Sequence, residues 1–175
     1  MITVAAFGPS AVRVAAQYSD RMVISLVTAA TAERLAGQLH ADARAAGRPV
    51  PRLAAWIPVA VDGVDAARRQ VRRTLIGYLA APGYAEMFEE AGFGEVVAVA
   101  RSGRHPREVL DAVPDELVES VAVLGDEETV RGRLAAYGLH VDELVVLPCS
   151  TDHDPAGART LRVLARVMTT CEEKS

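Results

Sequence analysis

Ile2-Thr3-Val4-Ala5-Ala6-Phe7-Gly8-Pro9-Ser10-Ala11-Val12-Arg13-Val14-Ala15-Ala16 contains a complete strand–turn–helix unit. A short apolar, β-prone run feeds a Gly-Pro turn, and Pro9 suits the first position of the helix that follows. Such a turn delivers the chain to a helix N-terminus, where free backbone N–H groups and the positive end of the helix dipole accept an anion. Arg13 follows one turn later with a forked pair of donors. Phosphate is the natural anion. Read alone, the stretch also fits an ordinary βα turn with Arg13 solvated, which is the commoner arrangement.

The same rhythm recurs along the chain. Met22–Val27 reads as a buried strand, followed by a helix with Thr31 as N-cap, Ala32, Leu35, Ala36, Leu39 and Ala43 at helical spacing, and Gly47 at its stop. Leu53–Val61 is a third strand. The helix opened by Asp65 has Ala67, Val71, Leu75 and Tyr78 on its inner face, with Arg68, Arg69, Arg72 and Arg73 as a solvated outer face. Between about residues 82 and 120 the rhythm breaks into a helical excursion. It is marked by Pro82-Gly83, Tyr84–Phe88, Gly92-Phe93-Gly94 and Pro106, and by Pro114-Asp115-Glu116, with Pro114 at a first helical position. Asp126 then caps a helix with Val130, Leu134 and Tyr137 on its stripe and Gly138 at its end. Glu143–Pro148 is the clearest strand, and the last helix sets Leu161, Leu164, Ala165 and Met168 on one face, before a polar tail read as frayed after Thr170.

Alternating strands and helices predict an α/β fold with a parallel sheet flanked by helices. Four strands form about half of a TIM-type barrel, which needs eight strands and about 250 residues to close. The 175 residues read as a single half-barrel domain, 1–175. Its two open edges invite pairing with a second copy or with a partner chain that supplies the missing strands; the alternative is a small open α/β sandwich whose edges are short or covered by helices.

Half the residues are hydrophobic and 24% are charged, a normal globular profile. A net charge of −4 argues against a nucleic-acid binder. No run approaches the roughly 20 apolar residues of a membrane span, and the N-terminus lacks a signal-peptide pattern. Cys149 and Cys171 read as free thiols, so a cytoplasmic location is expected. Lys174 is the one lysine, so arginine carries almost all positive charge.

Three segments together resemble the C-terminal half of the luciferase-like monooxygenase family, especially members that use the deazaflavin coenzyme F420. They are Val4–Ser10 through Tyr18-Ser19-Asp20; Val113–Val118 running to Val123–Asp126; and Leu134–Gly138 with Val141–Pro148. The resemblance covers nearly the whole chain, in order. It implies a barrel that binds F420 or FMN at the C-terminal ends of its strands. It also assigns cofactor phosphate contacts to Gly8, Pro9, Ser10 and Arg13. Trp56, near the middle or outer end of its strand, is either a residue facing the cofactor rings or substrate or an ordinary core tryptophan. The implied activity is hydride transfer or oxygen insertion on a small organic substrate; the alternative is a non-catalytic ligand-binding or subunit module that keeps the half-barrel. The chain departs from the family where Phe7 and Arg21 replace customary glycines, and where Leu139-His140 replaces an alanine-glycine pair. Phe7 is expected to crowd the cofactor. The resemblance implies that four further strands, before Met1, carry much of the ring-binding surface and the residues that act on substrate, so no catalytic residue is assigned.

The remaining constellations carry less chemistry. Asp152-His153-Asp154 lies past the last strand, but three adjacent loop residues do not converge on one ion, and a polar loop capping the last helix is expected; no metal site is assigned. Arg101, Arg104, His105 and Arg107 form a local basic cluster, either an anion patch or plain surface. Cys149 ends a strand with no histidine base placed to activate it.

Overall fold

A computed structural model describes residues 1–172, with side chains described through residue 166. The elements are β1 (Thr3–Ala5), α1 (Pro9–Tyr18), β2 (Arg21–Ser25), α2 (Ala29–Ala45), β3 (Arg52–Val61), α3 (Val64–Leu75), α4 (Tyr84–Glu90), α5 (Gly94–Arg101), α6 (Pro106–Ala112), α7 (Asp115–Val121), β4 (Val123–Gly125), α8 (Glu127–Gly138), β5 (Glu143–Pro148) and α9 (Ala158–Glu172). The predicted placements of Met168 and Cys171 lie outside the described side chains, and part of the frayed tail lies outside the described residues.

All strand pairs are parallel, and the long strand β3 is their hub. Its even-numbered residues face one neighbour: Arg52 N–H donates to Asp20 of the turn before β2, and Gly125 at the end of β4 accepts from Asp62 N–H. Its odd-numbered carbonyls, Leu53 and Val59, accept from Asp142 and Cys149 on the β5 side. β2 and β4 therefore share one edge of β3, end to end, and β5 holds the other. The register on the shared edge runs from Arg21↔Arg52 to Ser25↔Trp56, then resumes at Val59↔Val123. Pro58, which has no N–H to donate, falls in the gap between the two short strands. A proline in a central strand normally removes a ladder bond; here there is no partner to lose.

The sheet thus has five strands among the described residues, not four. β4 shows no period over its three residues and follows α7 after the single residue Ala122, so nothing in the sequence marks its start, whereas the equally short β1 is marked by the Gly8-Pro9 turn. Tyr137 of α8 closes the junction where β2 ends and β4 begins: its buried hydroxyl donates to the Val27 carbonyl (2.8 Å) and lies 3.4 Å from that of Ser120.

Helix ends follow local chemistry, with corrections to the sequence reading. The N-cap of α2 is Thr28, whose Oγ1 accepts from Thr31 N–H, so Thr31 is the donor and not the cap. Asp126 caps α8 as expected, accepting from Thr129 N–H. Pro114 is the N-cap of α7, not its first helical residue. α3 ends at Leu75, which puts Tyr78 beyond the helix instead of on its inner face. Among the described side chains of α9, Thr160, Val163 and Leu164 are buried, whereas Leu161 and Ala165 are exposed.

Arg68 and Arg72 do not form a solvated face either. The excursion folds back through α7, so Arg68 pairs with Asp65, Asp115 and Glu119, and Arg72 pairs with Asp115. The hydrogen bond to Glu119 is the chief reason the Arg68 guanidinium holds its proton more tightly than usual. Arg69 and Arg73 remain exposed.

Asp154 is the polar group most deeply committed to the fold. The residue is 7% exposed, and its carboxylate accepts from Arg159 N–H (2.7 Å), Thr160 N–H (2.9 Å) and Thr160 Oγ1 (2.8 Å); Thr160 Oγ1 in turn takes the N–H of Val61. Burial alone would raise its pKa, but these hydrogen bonds outweigh it and hold the carboxyl below the usual range.

Two stability measurements test this framework. Tyr137→Phe leaves the Val27 carbonyl buried without its donor and is expected to cost about 1–3 kcal/mol in urea unfolding. Asp154→Ala removes the acceptor for the start of α9 and is expected to cost about 1–2 kcal/mol near pH 7. Because the folded carboxyl has the lower pKa, it binds fewer protons than the unfolded one. Its contribution is therefore full above the ordinary carboxylate range and fades as pH falls through that range to the depressed folded value. An Asp154→Ala deficit that stays constant from neutral to strongly acid pH contradicts this assignment.

Candidate functional site

Side chains alternate across the sheet. Met22, Ile24, Leu53, Ala55, Ile57 and Val59 enter the main core with the helices. The opposite face carries Thr3 and Ala5 from β1, Val23 and Ser25 from β2, Ala54, Trp56 and Pro58 from β3, and Val145 and Leu147 from β5, aligned by the strand registers. This face is open over much of its area: Trp56 is 43% and Leu147 38% exposed. At its N-terminal end Glu143 pairs with both Arg21 and Arg52, beside the fully buried Ala54. Arg21 is thus part of an ion triad.

Toward the C-terminal ends of the strands the open face forms two clefts. The larger, about 590 Å³, has walls from Ala5, Phe7, Val23, Trp56, Tyr78 and Tyr84. The smaller, about 320 Å³, lies between β3, β5 and α3. Ser25, Trp56 and Tyr78 line both, so the indole and the Tyr78 ring form the ridge between them.

The aromatic wall is packed ring on ring. Phe7 stacks on Tyr84 with centroids 4.4 Å apart, and Tyr78 meets Tyr84 edge-on at 4.9 Å. The Tyr84 hydroxyl donates to the Ser25 carbonyl at 2.8 Å, which ties the start of the excursion to the end of β2. Burial, with a smaller contribution from Tyr78, pushes the Tyr84 phenol up to about 12, so it stays neutral. Sequence reasoning placed Tyr78 in a helix core and Tyr84 in a short helix; neither signalled a cleft, because only the return of the excursion brings them to the sheet.

The residues predicted to hold a phosphate are only partly gathered. Gly8 is the N-cap of α1 in an extended conformation (φ −75°, ψ 158°), Pro9 follows it, and no side chain caps the helix. The first helical bond runs from Val12 N–H to the Gly8 carbonyl, leaving the N–H groups of Ser10 and Ala11 without a helical acceptor. Gly8 and Pro9 line a hollow of about 480 Å³ together with Arg34 of α2 and Glu86 and Glu90 of α4. Ser10 and Arg13 are exposed and do not line it. Arg34 is the cation that sequence reasoning missed, since nothing in α2 alone shows that its first turns approach Gly8. Phe7 lines both this hollow and the larger cleft. Its ring also rests on Gly83 (φ +84°), where an added Cβ would stand 2.8 Å from Phe7 Cδ1, so the excursion must pass there without a side chain.

The other clusters have structural partners. Arg101 pairs with Glu86 and Glu89, and Arg104 with Glu108, while His105 Nδ1 accepts from Arg107 N–H. Asp154 is committed to α9, and His153 packs on Gly63. Among the described residues, no group of three His, Cys, Asp or Glu side chains is placed to hold a metal ion. Among the described residues, no helix is long and apolar enough to cross a membrane.

The fold is shared with solved structures whose sequences have diverged widely. The coenzyme F420-dependent tetrahydromethanopterin reductase from Methanopyrus kandleri is 16% identical with a TM-score of 0.72, over 93% of this chain and 48% of that one. An F420-dependent secondary alcohol dehydrogenase in complex with an F420–acetone adduct is 18% identical with a TM-score of 0.57, over 82% and 42%. The EDTA monooxygenase from Chelativorans sp. BNC1 is 15% identical with a TM-score of 0.56, over 95% and 45%. The chain therefore spans less than half the length of each of these structures. No curated protein matches it in sequence. The family model for luciferase-like monooxygenases matches residues 2–140, most of the chain, and the chain belongs to that family.

Proposed function

We propose that this chain is the cofactor-carrying half of a luciferase-like oxidoreductase that uses F420 or FMN for hydride transfer or oxygen insertion on a small organic substrate. We further propose that a second copy or a partner segment supplies the missing strands. One observation carries the reading: a neutral, aromatic-walled cleft at the C-terminal ends of parallel strands adjoins an uncapped helix N-terminus. Parallel α/β sheets bind ligands at that end of their strands.

The residues present fit such a cofactor. A planar ring system suits the slot between Trp56 and the Phe7–Tyr84 stack. A phosphate suits the Gly8-Pro9-Ser10 turn, where backbone N–H groups meet it and Arg34 or Arg13 supplies positive charge. Glu86 and Glu90 stand in the same hollow. Hydrogen bonding to backbone groups, its own and that of Gly83, holds Glu86 below the usual carboxylate range, so it remains charged. Arg101 pairs with Glu86 from outside the hollow, and Arg34 is the cation that lines it. Bound F420 or FMN would supply the hydride or oxygen chemistry itself. This chain's residues orient the ring and exclude water: the larger cleft is lined by no Asp, Glu, His, Lys or Arg side chain that could move a proton near pH 7.

A fluorescence titration of the full chain with F420 and, separately, FMN tests the proposal. Saturable binding is expected for one of them. Trp56→Ala and Arg34→Ala should each weaken it about tenfold, because a lost charge-assisted hydrogen bond or aromatic contact is worth about 1–3 kcal/mol. Arg13→Ala should have a smaller effect. Failure of both cofactors to bind at micromolar protein rejects the reading. Binding without turnover, even with the complementary strands supplied, leaves a non-catalytic module.

A further inference from the structure

The smaller cleft differs from the cofactor cleft in what it can hold. Its apolar surface comes from Leu26, Trp56, Pro58, Val71 and Leu147, with the Cys149 thiol buried among them. None of its lining residues is Asp, Glu, His, Lys or Arg. Burial pushes the Cys149 thiol up to about 11, so it too is neutral at physiological pH. A charged group entering this cleft would leave water and meet no counter-charge, which is strongly unfavourable.

The polar groups at the cleft are mostly committed. The Ser25 carbonyl takes the Tyr84 hydroxyl, and Thr74 Oγ1 donates to the Gln70 carbonyl at 3.2 Å. The Gln70 carboxamide is exposed and enters none of the side-chain hydrogen bonds found among the described residues. It offers one acceptor and two donor positions at the edge of an otherwise apolar wall. At the rim, Leu26 takes a left-handed backbone conformation (φ 52°), a strain that a leucine tolerates only when its surroundings enforce it. At about 320 Å³ the cleft is at the lower end of small-molecule sites.

We propose that the cleft between β3, β5 and α3 binds an uncharged, mainly apolar small molecule carrying one hydrogen-bonding group, and that Gln70 holds that group. The cleft shares Trp56 with the slot assigned to the cofactor ring, so this molecule is the substrate class of the oxidoreductase. That last identification rests on the cofactor reading; the binding itself does not.

Trp56 is the one tryptophan of the chain and stands on the ridge, so its emission reports occupancy without any cofactor. The test titrates the full chain at pH 7 with hexan-1-ol, hexanoate and hexylammonium, three charge states on one alkyl length. Hexan-1-ol is expected to give a saturable change, and both ions to bind at least tenfold more weakly. Leu147→Glu and Thr74→Arg, at exposed positions of this cleft, should each abolish the response. Thr3→Glu, which borders only the larger cleft, should leave it in place. Gln70→Ala should weaken hexan-1-ol several-fold while 1-chlorohexane binds as before. Equal affinity for the three probes, or a hexan-1-ol response that survives both Leu147→Glu and Thr74→Arg, overturns the proposal. A chain that binds hexan-1-ol as described but neither F420 nor FMN keeps the site and loses its identification as a substrate site.

Discussion

The backbone ladder along β3 is the interaction on which the rest of the molecule depends. One strand of ten residues satisfies β2 and β4 on one edge and β5 on the other, and its apolar sequence is buried from Ile57 to Val61. A strand used on both edges cannot spare N–H groups, yet this one contains a proline. The conflict is resolved by position, since Pro58 sits where β2 has ended and β4 has not begun. Two short strands laid end to end thus accommodate a residue that one long neighbour would exclude. Tyr137 covers the same junction from the helical side by taking up the Val27 carbonyl.

The open sheet face follows from the same arrangement. Helices α1, α2, α8 and α9 contribute to the core on one side of the ladder, where Met22, Ile24 and the odd residues of β3 are buried. The other side is covered only in part, by the ion triad at the strand N-termini and by Tyr78, Tyr84 and α3 toward the C-termini. Between these lie the exposed Trp56 and Leu147. Exposed apolar area of this kind is unfavourable in water and marks surfaces that a ligand or another polypeptide covers. Both parts of the functional proposal, a cofactor in the clefts and further strands against the face, address that one feature.

Much of the fold was legible because the elements obey strong local rules. β5 runs over Glu143–Pro148 as read, Asp126 caps α8, and Gly47 adopts the positive φ of a helix stop. What misled was local plausibility where two choices are chemically close. Thr28 and Thr31 are both competent caps, and the choice between them depends on where β2 releases the chain. Arg68 and Arg72 show the same i,i+4 spacing as a solvated face, but Asp115 and Glu119 arrive from a distant part of the chain. At the site, Gly8 and Pro9 line the hollow beside α1 and Trp56 lines both clefts, whereas Ser10 and Arg13 stand outside that hollow and Arg34, which no local pattern marks, lines it.

The sequence by itself determined four of the five described strands with the helices that follow them, their parallel sense, and the turn that opens α1, because periodicity, capping and glycine–proline chemistry act within a few residues. Only the tertiary structure decided which edge of β3 receives β4, which cation reaches Gly8, and which rings wall the clefts. Those depend on the return of residues 82–120 across the sheet. Contacts between residues that far apart in the chain are set by how whole elements pack, and no local pattern encodes them.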